Sequence, residues 1–88
     1  AYFAVVAEAL GKEGTAGGLE PDVAIRMVGE SMAGTAELLR KRTPFEIETA
    51  VASPGGSTEA GLEALAAAGG AESFRKAYEA SIARMRGN

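Results

Sequence analysis

The stretch PDVAIRMVGESMAGTAELLR, residues 21–40, decides the fold class. Ala24, Met27, Val28, Ser31, Met32, Thr35, Leu38 and Leu39 return at helical intervals and make one broad, mostly apolar band. Pro21 suits the first turn of a helix, where its missing N–H costs nothing, and Glu20 and Asp22 stand beside the positive end of the dipole. The spacing predicts a helix to about Arg40, the longest in the chain. Beside the band runs a strip of small residues, Gly29, Ala33 and Ala36. A helical glycine costs about 1 kcal/mol against alanine, so Gly29 and Gly34 are expected where another element's backbone comes close, within the chain or across a partner subunit.

Outward from that helix the same period persists, and no strand-like alternation or internal repeat is found. Phe3, Val6 and Leu10 mark one face of a first helix and Tyr2, Val5 and Ala9 a second, so burial on two sides is expected, with Gly14, Gly17 and Gly18 ending the helix. Downstream, Arg40, Lys41 and Arg42 form a solvated cationic end. Thr43-Pro44-Phe45-Glu46 has the form of a capping box with proline at the first helical position, which predicts a short helix from Pro44 to about Val51. A fourth helix is expected from Ser57 or Thr58 to about Ala68, and a fifth from near Glu72. Phe74, Tyr78, Ile82 and Met85 form the core face of this last helix, while Arg75, Lys76, Glu79, Arg84 and Arg86 point away. The expected architecture is all-α, about five helices in one domain spanning residues 1–88.

Bulk properties narrow the function. An 88-residue chain buries only roughly 60–65% of its unfolded surface, and its 47% hydrophobic content leans on alanine, with 6% aromatics. A core this thin is often completed by a partner. The net charge of −3, with no basic stripe, offers no footprint for nucleic acid. The longest apolar run, Ala1 to Ala7, is too short to span a bilayer, and no signal peptide is recognisable. There is no cysteine and no histidine, which removes disulfides, thiolate and imidazole metal ligands, and histidine acid–base chemistry within this chain. The missing cysteine suits a cytoplasmic location.

One stretch carries chemistry. Ser53-Pro54-Gly55-Gly56-Ser57-Thr58 opens directly into a helix. Glycines let a ligand approach the main chain, and a helix start offers unpaired N–H groups to a carboxylate or phosphate. Ser57 or Thr58 either donates a hydroxyl to such an anion or merely caps the helix; local chemistry alone favours the cap. A phosphate loop of the Walker type would need a lysine after the last glycine, and none is there.

Taken at greater length, AVASPGGSTEAGLEAL, residues 50–65, resembles the signature of the pyrroline-5-carboxylate reductase family: Ser-Pro-Gly-Gly-small-Thr, two residues, then small and aliphatic positions. The opening AYF…EAL followed by Gly18-Leu19 and Pro21, the grouping of Gly34, Ala36 and Leu39, and the closing AYEASIARMR are similar to other parts of that family's C-terminal domain. The resemblance covers nearly the whole chain and implies an interlocked helical dimerisation domain. It further implies an N-terminal Rossmann domain for NADPH or NADH, lying outside these residues; no Gly-x-Gly-x-x-Gly is found among them. The chain alone is therefore expected neither to bind the dinucleotide nor to turn over. The implied reaction is hydride transfer to the C=N bond of 1-pyrroline-5-carboxylate, giving L-proline. By the family pattern, Thr58 is the catalytic position, its hydroxyl near the ring nitrogen. Ser53, Gly55, Gly56, Ser57 and Thr58 bind the substrate, with the Ser57 and Thr58 N–H groups and the Ser53 hydroxyl on its carboxylate. No metal is implied, and the implied partner is a second copy, in a homodimer or a higher oligomer built on it.

Three residues depart from the pattern. Ser57 stands where threonine or alanine is common, which leaves the backbone donors intact. Glu30 replaces a usual glutamine and Glu48 a common basic residue, changes that fit a related imine or keto-acid reductase as well. A non-catalytic dimerisation module is the other alternative, but it would not require the Ser53–Thr58 loop.

Overall fold

The computed structural model describes residues 1–87, which form five helices with no strand among them. They are α1 (Tyr2–Ala16), α2 (Pro21–Leu38), α3 (Pro44–Val51), α4 (Ser57–Ala67) and α5 (Gly70–Met85). The chain divides into two units, Ala1–Ile47 and Glu48–Asn88.

In the first unit α1 and α2 pack as a helical hairpin. The sequence reading placed Gly14 at the end of α1, but it lies inside the helix. A methyl group at Gly14 would stand 3.1 Å from Ala24 Cβ, and one at Gly11 would stand 3.3 Å from Ile25 Cδ1. These two glycines are where the hairpin closes. The helix ends instead at Gly17 and Gly18, whose N–H groups donate to the Glu13 and Thr15 carbonyls, with Gly18 at φ +113°. Pro21 opens α2 as its spacing requires, while α2 stops at Leu38, short of Arg40, because residues 39–42 tighten into turns on the Thr35, Glu37 and Leu38 carbonyls. Gly29 and Gly34 mark no close approach in the first unit: beyond their own helix's neighbouring backbone, nothing there lies within 4 Å of a methyl group placed on either.

The capping box at α3 forms as read. Thr43 N–H donates to Glu46 Oε1 at 2.8 Å, and Glu46 N–H donates to Thr43 Oγ1 at 3.2 Å. In the second unit α5 starts at Gly70, earlier than the expected Glu72. Gly69 adopts a left-handed conformation at φ +83°, and Gly70 sits so close to α4 that a methyl group there would meet Leu65 Cγ at 3.0 Å. On the polar face of α5, Arg75 bonds both Glu72 and Glu79.

Packing leaves little inside. Ala24, 2% exposed, is the one buried hydrophobic residue among those described. Phe3 is 80% exposed and Met85 78%, and Phe74 and Tyr78 are exposed too, so the α5 stripe read as core is open in a single copy. Small residues bring backbones together without covering the large side chains around them.

Glu46 allows a pH test. The Thr43 N–H first, then the Thr43 hydroxyl, hold its carboxyl below the ordinary value of 4.5. A folded-state pKa depressed below the unfolded one contributes stability that is fully present above the unfolded value and is lost as pH falls through the folded value. In urea unfolding between pH 3 and 7, wild type is therefore expected to exceed Glu46→Gln above about pH 4.5. The gap should close as the pH falls further.

Candidate functional site

The site grows out of the junction between α3 and α4, inside the second unit. Four residues make a turn there: Gly56 N–H donates to the Ser53 carbonyl at 2.8 Å, with Pro54 second and Gly55 third. Gly55 has φ +74°, the left-handed region. Proline then glycine at those two places is the type II turn signature, since proline supplies a negative φ and glycine a positive one.

Gly56 follows as the N-cap of α4, at φ −83° and ψ 169°. Its missing side chain has a spatial reason. A methyl group on Gly56 would lie 2.9 Å from Ser53 Oγ and 3.0 Å from the Ser53 carbonyl oxygen. The Ser53 hydroxyl therefore sits against the start of α4 in the space that glycine leaves.

The first helical N–H with an internal acceptor in α4 is that of Ala60, which donates to the Gly56 carbonyl at 3.2 Å. No side chain caps the helix. Ser57 and Thr58 are thus not the cap that local chemistry favoured; they lie in the first turn itself, both exposed. Their own N–H groups belong to the orphan set at a helix start and carry its positive potential. The Ser53 hydroxyl lies against Gly56, the residue that immediately precedes them.

The glycines contribute shape and not donors. Gly56 N–H is used by the turn, and Gly55 N–H donates to Glu59 Oε1 at 2.9 Å. Glu59, half-buried on the first turn of α4, is the residue that sequence reasoning missed. Its signal was a glutamate three residues after the N-cap; the usual capping-box pattern also asks for Ser or Thr at the cap, and Gly56 stands there.

A family model described as pyrroline-5-carboxylate reductase dimerisation matches residues 1–88. The chain belongs to the pyrroline-5-carboxylate reductase family, as its dimerisation domain. Curated relatives of that name agree. The chain is 44% identical over 84 residues to the Thermus thermophilus protein, covering 96% of this chain and 32% of that one. Identity is 35% over 86 residues with the Synechocystis protein and 33% over 88 with that of Pisum sativum, covering 96% and 98% of this chain and 32% of each relative. The chain thus spans about a third of the length of these relatives.

The reductase domain carries a second feature, in its first unit. A groove of about 830 Å³ runs along the α1–α2 hairpin, lined by Phe3, Val6, Leu10, Met27, Val28 and Met32 among others. Phe3, Val6 and Leu10 are the first of the two α1 faces read from the sequence. Among the described residues no helix is long and apolar enough to cross a membrane, and no cluster of three or more His, Cys, Asp or Glu could hold a metal ion.

The left-handed turn can be probed directly. Gly55→Ala is expected to lower stability by about 1–2 kcal/mol, the cost of a Cβ in the left-handed region. Gly55→Asn should cost less, because its short polar side chain tolerates that region. Urea unfolding of the three proteins checks the order.

Proposed function

We propose that this domain positions 1-pyrroline-5-carboxylate for reduction to L-proline and joins two copies of the enzyme. Hydride from NADPH or NADH is the chemistry that the dinucleotide supplies when bound. The residues here do not fit a dinucleotide site: the chain has no Gly-x-Gly-x-x-Gly, and no strand among its described residues to precede one. That binding is assigned to a region outside this chain.

What the domain contributes is orientation. The substrate's ring carboxylate is received by the Ser57 and Thr58 N–H groups at the positive end of α4, with the Ser53 hydroxyl beside them. Anchoring one end of a small ring fixes where the C=N bond points, and fixed geometry lowers the barrier by removing the entropy of finding it. The Thr58 hydroxyl holds the ring nitrogen and its proton. A protonated imine already carries the proton that the product amine needs, so a chain without histidine is adequate for this role. The observation that carries this reading is the uncapped first turn of α4, framed by hydroxyls, in a chain of this family.

Pairing follows from the exposed faces. A groove lined by Phe3, Val28 and Met32 loses apolar surface to water unless covered, and a second copy supplies the same surface by symmetry. The open space over Gly29 and Gly34 is where the partner's backbone comes close. A cytoplasmic location is consistent with the cysteine-free composition.

Two experiments on the full-length protein test this. Thr58→Ala should lower turnover of 1-pyrroline-5-carboxylate, followed by nicotinamide oxidation, about tenfold to hundredfold, the range for losing a hydrogen bond to a charged group. Unchanged turnover would count against the role of Thr58, and absent wild-type turnover would favour a related imine or keto acid. Val28→Glu should shift the protein toward monomer in sedimentation velocity, because it places an unpaired charge in the proposed interface.

A further inference from the structure

The Ser53–Gly56 turn is a weak structure on its own terms. Two adjacent glycines lose much conformational freedom when ordered, and Ser53, Pro54 and Gly55 are exposed, so burial does not hold them. Two hydrogen bonds do. One closes the turn on itself, from Gly56 N–H to the Ser53 carbonyl. The other ties it to the helix, from Gly55 N–H to Glu59 Oε1 at 2.9 Å. Glu59 is carried on α4 one turn inside the mouth, so its carboxylate links a regular helix to the left-handed glycine four residues back.

We infer that Glu59 is a positioning residue of the candidate site, its carboxylate locking Gly55 so that the Ser53 hydroxyl and the open Ser57 and Thr58 N–H groups face the substrate carboxylate preformed. The inference rests on the cradle reading proposed above. The helix dipole favours a negative charge in the first turn of α4, but that asks for no particular reach, and beside the mouth the same charge opposes an anionic substrate. Reach does give a reason: the side chain that spans back to Gly55 must be as long as glutamate and must end in an acceptor. Without it, the cost of ordering the turn falls on substrate binding, and apparent affinity drops by the fraction of molecules that are preformed.

Three substitutions in the full-length protein separate reach from charge. Glu59→Gln keeps the reach and an acceptor but removes the charge. Glu59→Asp keeps the charge but shortens the side chain by about 1.5 Å, and Glu59→Ala removes both. With 1-pyrroline-5-carboxylate as the varied substrate, Glu59→Asp and Glu59→Ala should raise KM about fivefold, roughly the effect of one hydrogen bond. Their kcat should stay within about twofold of wild type, since Thr58 is untouched. Glu59→Gln should restore KM to the wild-type value or below it. The inference is overturned if Glu59→Asp retains wild-type KM, or if all three variants shift KM alike. Should Glu59→Ala fail to fold, as judged by its Tm, the Asp and Gln pair decides by itself. Thr58→Ala, run in parallel, identifies which reading has failed. If it loses turnover while the Asp variant behaves as wild type, only the role of Glu59 falls. If it keeps full turnover, the cradle falls and Glu59 with it.

Discussion

The close approach of α1 to α2 at Gly11 and Gly14 governs the first unit. A hydrogen in place of a methyl group at Gly14 lets Ala24 seat against the α1 backbone, and the same economy at Gly11 admits Ile25. The contact aligns two long helices, but its members are small, so it buries little area for each residue it orders. Large side chains such as Phe3 and Met27 are pushed to the flank of the hairpin, where they line a groove and do not close over a core. A hairpin built this way aligns its helices well and covers them poorly. The same choice that sharpens the packing leaves an apolar surface open.

The second unit uses glycine for a different end. At Gly55 the demand is conformational, at Gly56 it is space for Ser53, and at Gly70 it is the nearness of Leu65. The first two together leave a helix that begins at a glycine with no side-chain cap, at a cost of only about a few tenths of a kcal/mol against serine. A helix start of this kind carries a positive potential, which a negative group matches. The loop donors divide: Gly55 and Gly56 N–H groups serve the loop, and those of Ser57 and Thr58 precede the first backbone bond of α4, from Ala60 N–H to the Gly56 carbonyl.

Both units belong to a dimerisation domain of the pyrroline-5-carboxylate reductase family. A domain of this size with an open site and an open apolar groove is unfinished as a single copy, and the two surfaces call for different complements. The groove is lined mostly by apolar side chains. The start of α4 carries a positive potential.

Much of this was legible in the residues before any coordinates. Pro21 and the Thr43–Glu46 box announced their helix starts because such signals act within four residues, and the type of every element followed from periodicity. The signature loop was found at Ser53–Thr58 for the same reason, since a Pro-Gly-Gly turn and the helix behind it are contiguous in the chain. Three features were decided only in three dimensions. Gly14 read as a helix breaker and Gly70 fell in the gap expected between the last two helices, yet each serves a contact, because a glycine's meaning depends on what stands across from it. The Phe74–Met85 stripe read as core, yet it is open in one copy, because periodicity tells that a face is apolar and not what covers it. Glu59 was passed over because its partner is a backbone N–H in a left-handed turn, a geometry with no letter of its own. The sequence by itself determined the helices, the small-residue strips and the family; the tertiary structure decided which glycines carry contacts, which faces stay open and which donors are left for a ligand, since all of these depend on distances between residues that the chain order does not specify.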